Sequence, residues 1–142
     1  MKAVQAYDPT VELKLKNKDA IIHFEEGLIG FSECKDFVLM ESEDLAPFRL
    51  LQSVDFPEVG FLVLEPTPLV PNFYAEVPVR EWESLGLNPG ASPLAFVIVV
   101  IGGTPQTSTG NFQAPLLVNY QRMIGKQIIL TDSSFSVRHP LV

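Results

Sequence analysis

Two histidines, one cysteine and several neighbouring carboxylates are the side chains of this 142-residue sequence suited to proton transfer, metal ligation or nucleophilic attack. His23 lies in an apolar run and His139 far along the chain, so neither has the spacing of a zinc-ligand pair, and Cys34 has no second cysteine to join. With Glu33 and Asp36 beside it and only Lys35 to favour a thiolate, Cys34 reads as a small, partly buried side chain, not a nucleophile. No serine stands on a nucleophile-elbow pattern. Glu25-Glu26, or Glu41 with Glu43, would do acid–base work only if desolvated, and consecutive acids on a small domain are ordinarily solvated. Gly27 with Gly30, and Gly102-Gly103, open no helix bearing Lys and Ser or Thr at phosphate-binding positions; turn geometry explains them. The expectation is therefore no enzyme, no cofactor and no metal.

The elements around these residues read as short strands between turn residues. β-branched and aromatic side chains cluster, and Gly, Pro, Asn, Asp and Ser punctuate them. Val11–Lys16 alternates apolar and polar with period two. Further strands are predicted over Ala20–Phe24, Phe37–Met40, Phe48–Leu51, Gly60–Leu64, Phe73–Val77, Leu94–Ile101, Leu116–Tyr120, Gln127–Leu130 and Phe135–Val137. Leu94–Ile101 is apolar at every position, which implies cover on both faces and a central place. One helix of about two turns is predicted over Pro78–Leu85, with Pro at its start and Gly86 to stop it. Gly102–Gly110 is a polar stretch of the length of an exposed hairpin loop. So many apolar strands in one open sheet would leave edges that invite aggregation. The fold class expected is all-β, mainly antiparallel, a small closed or nearly closed barrel-like single domain over residues 1–142, with at most one or two short helices.

Net charge is −7, and all of it lies in the first half. Residues 1–71 hold thirteen Asp and Glu against six Lys and Arg, whereas residues 72–142 hold four of each. Such a surface repels nucleic acid and attracts basic protein, although a solvated face serving solubility has the same composition. Lys14, Lys16 and Lys18 are offset by Glu12 and Asp19 and suit a protected strand edge better than a phosphate track. No apolar stretch approaches the roughly 20 residues that cross a bilayer, and the first residues lack a signal-peptide core, so a cytoplasmic protein without membrane contact is expected. By elimination the residues describe a protein-interaction module, and Glu41, Glu43, Asp44, Asp55 and Glu58 are expected to form much of its acidic field.

The segment Phe24-Glu25-Glu26-Gly27-Leu28-Ile29-Gly30-Phe31, followed by Pro47-Phe48-Arg49-Leu50-Leu51-Gln52-Ser53, resembles the opening half of the flagellar assembly factor FliW family. Asn111-Phe112-Gln113-Ala114-Pro115-Leu116-Leu117-Val118-Asn119, then Arg122, Gly125 and Gln127, resembles its closing signature. The family's usual proline in the glycine turn is Ile29 here, a departure expected to alter loop stiffness more than function. The resemblance implies a β-barrel-like cytoplasmic protein that binds flagellin and, once released, binds the translational repressor CsrA and frees flagellin mRNA. Gly27, Gly30, Pro47 and Pro115 then read as structural. Phe48, Gln52, Ser53, Asn111, Gln113 and Asn119 either cap backbone groups internally or meet a partner. Two rivals remain: a chaperone with exposed Phe73, Tyr74 or Phe112 in one patch, and an enzyme with a small-molecule site in the barrel mouth.

Overall fold

Alternation of side chains across seven short strands lets a single sheet bury one apolar set in its lumen and a second beneath an outer layer. The computed structural model describes residues 21–87, 93–131 and 134–142. Its strands are β1 (Ile21–Phe24), β2 (Asp36–Met40), β3 (Arg49–Ser53), β4 (Gly60–Leu64), β5 (Leu94–Val100), β6 (Thr109–Gly110), β7 (Leu116–Asn119), β8 (Ile124–Gln127) and β9 (His139–Pro140). The sheet runs β4-β3-β2-β1-β8-β7-β5, and β5 returns to β4 through Val63↔Ile98 and Leu64↔Val97, closing a seven-stranded barrel. Closure leaves these strands without a free edge. All of these pairings are antiparallel except β1 with β8, where His23 meets Ile124 and Phe24 meets Gly125. The short strands β6 and β9 extend from the far part of β5.

β5 divides its side chains between two cores. Phe96 and Ile98 point into the lumen with Phe24, Phe37, Phe61, Val63, Leu116 and Val118. Ala95, Val97 and Val99 point outward beneath Phe73, Val77, Trp82, Leu85 and Phe112. The uninterrupted apolar run is explained by cover on both faces, and β5 touches β4, β6 and β7 as a central strand would. In the lumen Phe24 and Phe37 meet edge to face, with centroids 5.6 Å apart. Gly125 is required there, because a Cβ would lie 2.8 Å from the Phe24 ring and 2.9 Å from the Leu117 carbonyl oxygen.

The outer layer corrects three expectations. Phe73–Glu76 is a 3-10 turn, not a strand. A strand would put Phe73, Ala75 and Val77 on one face; instead Phe73 and Val77 are buried while Ala75 is exposed, the spacing of a helical turn. Phe135–Val137 forms no strand, and Phe135 stacks on Phe73 with centroids 5.2 Å apart. The strand expected at Gln127–Leu130 is β8, which begins at Ile124 and ends at Gln127. The helix forms as expected: α1 is Val79–Ser84, entered from Pro78 and left through Gly86 at φ +81°. Gly102–Gly110 does join antiparallel partners, through a 3-10 turn at Pro105–Thr107 and the short β6. The strand expected at Val11–Lys16 lies outside the described residues.

Candidate functional site

The β2–β3 hairpin separates the acidic side chains into two groups. Glu41, Glu43 and Asp44 follow the end of β2, at the mouth where β3 begins and β4 ends. Asp55 and Glu58 lie in the β3–β4 turn at the opposite mouth, beside the loop carrying Glu25, Glu26 and Glu33. The length of β3, about 16 Å at 3.3 Å per residue, stands between the groups. The five residues expected to share one field thus occupy two ends of the barrel. All five are exposed, and among the described residues Glu43, Asp44, Asp55 and Glu58 form no ion pair.

At the first mouth Arg49 faces the lumen, since it shares the parity of Leu51 and Ser53. Its Nε donates to Glu41 Oε1 at 2.7 Å and its Nη1 to Glu65 Oε2 at 3.3 Å, while its guanidinium carbon sits 5.4 Å from the centre of the Phe96 ring. Tyr120 closes the same mouth. Burial raises its hydroxyl's pKa; Arg49 opposes the shift and Glu41 and Glu65 reinforce it. This cluster escaped sequence reasoning because Glu65 meets Arg49 through the β3–β4 hairpin register and Tyr120 comes near it only once the barrel closes. Glu41, Glu43, Pro47, Phe48 and Arg49 also line a surface cavity of about 500 Å³.

At the second mouth Cys34 is buried against the lumen core. Burial raises its thiol pKa, the Ser53 hydroxyl opposes this, and Glu33, Glu58 and Asp55 add to the rise. His23 stands on β1 with Nδ1 2.7 Å from Asp36 Oδ1 and Nε2 2.9 Å from Glu25 Oε2. The hydrogen bond to Asp36, then that to Glu25, raises the imidazole pKa, and the same partnership lowers that of Glu25. His23 and Asp36 are cross-strand partners around the Gly27–Gly30 turn, so reading the hairpin register would have paired them.

The side-chain amides of Gln52, Asn111 and Asn119 bond inside the protein. Gln52 is buried, and its Nε2 lies within 3.2 Å of the carbonyl oxygens of Ser53, Pro57 and Val59, tying down the β3–β4 turn. Ser53 Oγ accepts from the Phe56 N–H at 3.1 Å. Asn119 donates to the Leu85 carbonyl at 2.7 Å and accepts from the N–H groups of Gln121 and Arg122, joining the end of α1 to the β7–β8 turn. Asn111 Oδ1 accepts from the Ala114 N–H at 3.1 Å. These are the internal caps of the two readings. Gln113 and Phe48 are half-buried, and Phe48 stays at the surface beside Glu41 and Glu43. Phe73 and Phe112 are fully buried and the Tyr74 hydroxyl accepts from the Ala95 N–H at 2.9 Å, so these three form no client-holding patch. No group of three His, Cys, Asp or Glu among the described residues could hold a metal ion.

Fold and site together define a small closed β-barrel with acidic mouths and an apolar lumen, whose buried amides Gln52 and Asn119 serve its own turns. A family model described as "FliW protein" matches residues 9–141, and the chain belongs to that family. It is 35% identical over 141 residues to the flagellar assembly factor FliW of Geobacillus kaustophilus (strain HTA426), covering 99% of this chain and 95% of that protein. It is 37% identical over 123 residues to the FliW of Leptospira interrogans serogroup Icterohaemorrhagiae serovar Lai (strain 56601), covering 86% and 82%. A crystal structure of the flagellar assembly factor FliW superposes with a TM-score of 0.77 at 34% identity, over 89% of this chain and 88% of that one.

Proposed function

We propose that this flagellar assembly factor works in the cytoplasm by mutually exclusive docking: it binds flagellin and, when flagellin leaves, binds and antagonises CsrA, relieving repression of flagellin mRNA. The observation that carries the reading is the acidic pair Glu43 and Asp44 at a barrel mouth near the half-buried Phe48, neither of which forms an ion pair among the described residues. Held next to an RNA-binding protein, such a cluster raises the energy of an approaching phosphate backbone and adds repulsion to any steric block. No bond is made or broken in this scheme. Titration of the purified protein with CsrA and with flagellin separately, then in competition, tests it. Each partner is expected to bind alone and to displace the other; binding to neither, or simultaneous binding of both, overturns the reading.

A further inference from the structure

Pro47 and Phe48 stand between two surface cavities. On one side is the acidic cavity of Glu41 and Glu43. On the other is a mostly apolar groove of about 490 Å³, lined chiefly by Phe48, Leu64, Leu69, Ile101, Pro105 and Leu141, with Thr104 and Ser108 as its polar lining. Ile101 is 48% exposed although it continues the apolar run of β5. Exposed apolar surface concentrated in a groove of this size marks a place where another molecule sits. What can sit there is limited by charge. Arg49 pairs with both Glu41 and Glu65, whereas Glu43, which lines the acidic cavity with Phe48, and its neighbour Asp44 have no ion pair among the described residues. A second copy would bring a further net charge of −7 towards them, and a nucleic acid would be repelled.

We propose that the groove receives one amphipathic segment of a partner protein, with apolar side chains entering between Phe48, Leu69, Ile101 and Leu141 and Lys or Arg at the end lying over Glu43 and Asp44. The apolar contact supplies affinity, and the acidic end fixes the direction in which the segment lies. The inference rests on the proposed role in protein binding but not on which protein is bound, and its test uses neither flagellin nor CsrA.

The probe is a labelled synthetic peptide of about sixteen residues with Leu at helical i, i+3, i+4, i+7 spacing and Lys at one end. Its controls are the same peptide with Glu for Lys, and a scrambled sequence. Fluorescence anisotropy gives affinity and backbone amide shifts give location. The Lys peptide is expected to bind saturably, shifting the amides of Phe48, Leu69 and Ile101. Glu43→Gln with Asp44→Asn is expected to weaken it about fivefold at low salt and less at high salt. Ile101→Asp is expected to weaken it more than tenfold, that is by over about 1.4 kcal/mol. Pro105→Glu, on the same wall, should act likewise should Ile101→Asp melt early. Equal binding of the Glu or scrambled peptide, shifts confined to another face, or no binding at all overturns the proposal. So does a dimer in sedimentation that Ile101→Asp dissociates, because the groove then belongs to a second copy.

Discussion

The backbone N–H of Ile29 donates to Gln127 Oε1 at 2.8 Å across 98 residues of sequence, while Nε2 of the same amide donates to the Ala114 carbonyl at 3.0 Å. One side chain on β8 therefore ties the glycine turn after β1 to the segment entering β7. A proline at position 29 would have no N–H to give, so the bond depends on Ile29 keeping its backbone donor. The turn itself depends on Gly27 at φ +68°, where a Cβ would meet the Ser32 carbonyl oxygen at 2.6 Å.

Gln127→Leu, which orphans both partners, is expected to cost about 1–2 kcal/mol in urea unfolding. Ile29→Pro should cost less, because Ile29 is exposed and water can satisfy the amide oxygen. A double-mutant cycle should give a coupling of at least about 0.5 kcal/mol, and strict additivity would show that the bond contributes nothing.

Gln52 faces three carbonyl oxygens from a buried position. Replacing it with Ala is expected to destabilise by about 1–3 kcal/mol. Gln52→Glu should be worse, since a carboxylate there must either protonate to donate or face those oxygens as an unpaired buried charge. Thermal melts of the two variants check the order.

His23 makes stability depend on pH. Its pKa is raised in the folded state, so its contribution is fully present below the unfolded value of about 6.5 and is lost as pH rises through the folded value. Urea midpoints of the parent and His23→Gln proteins should differ most below the unfolded value of about 6.5 and converge as pH rises past the raised folded value. The exposed imidazole keeps the effect small. Glu25 acts with the opposite sign: its lowered pKa adds stability that is lost under acid, through the carboxylate range.

Charge neutralisation should separate the two mouths. On the proposed docking to CsrA, Glu41→Gln, Glu43→Gln and Asp44→Asn together are expected to weaken its antagonism about three- to tenfold at low salt, with less effect at high salt. Asp55→Asn with Glu58→Gln should change it little, because these residues lie a strand length away. RNA-binding assays of CsrA at two ionic strengths decide this, and equal effects from both sets would reject the division.

The barrel was legible because β1 to β5 and β7 carry dense apolar runs bounded by turn residues, and because so many strands need closure. The segment from Phe73 to Val77 misled because five residues are too few to separate period two from a helical turn when both end residues are apolar. Phe135 is aromatic for its stacking on Phe73, a tertiary reason that β propensity cannot distinguish from a strand. The acidic residues were legible as composition but not as geometry. A charge count runs along the chain, whereas a hairpin sends residues 44 and 55 to opposite ends of the fold. The caps made by Gln52 and Asn119 needed the turns to exist before their amides had partners.

The parallel seam of β1 and β8 joins Phe24 to Gly125, roughly a hundred residues later. At ordinary synthesis rates of about 5–20 residues per second, β1 waits some seconds for that neighbour, while its other side is already occupied by β2. The nascent chain can thus assemble the β1–β4 meander on the ribosome, but its Phe-lined lumen stays open to solvent until the last strands emerge. A stall or truncation ahead of β8 therefore leaves the inner core unsealed even when the β1–β4 meander has already formed.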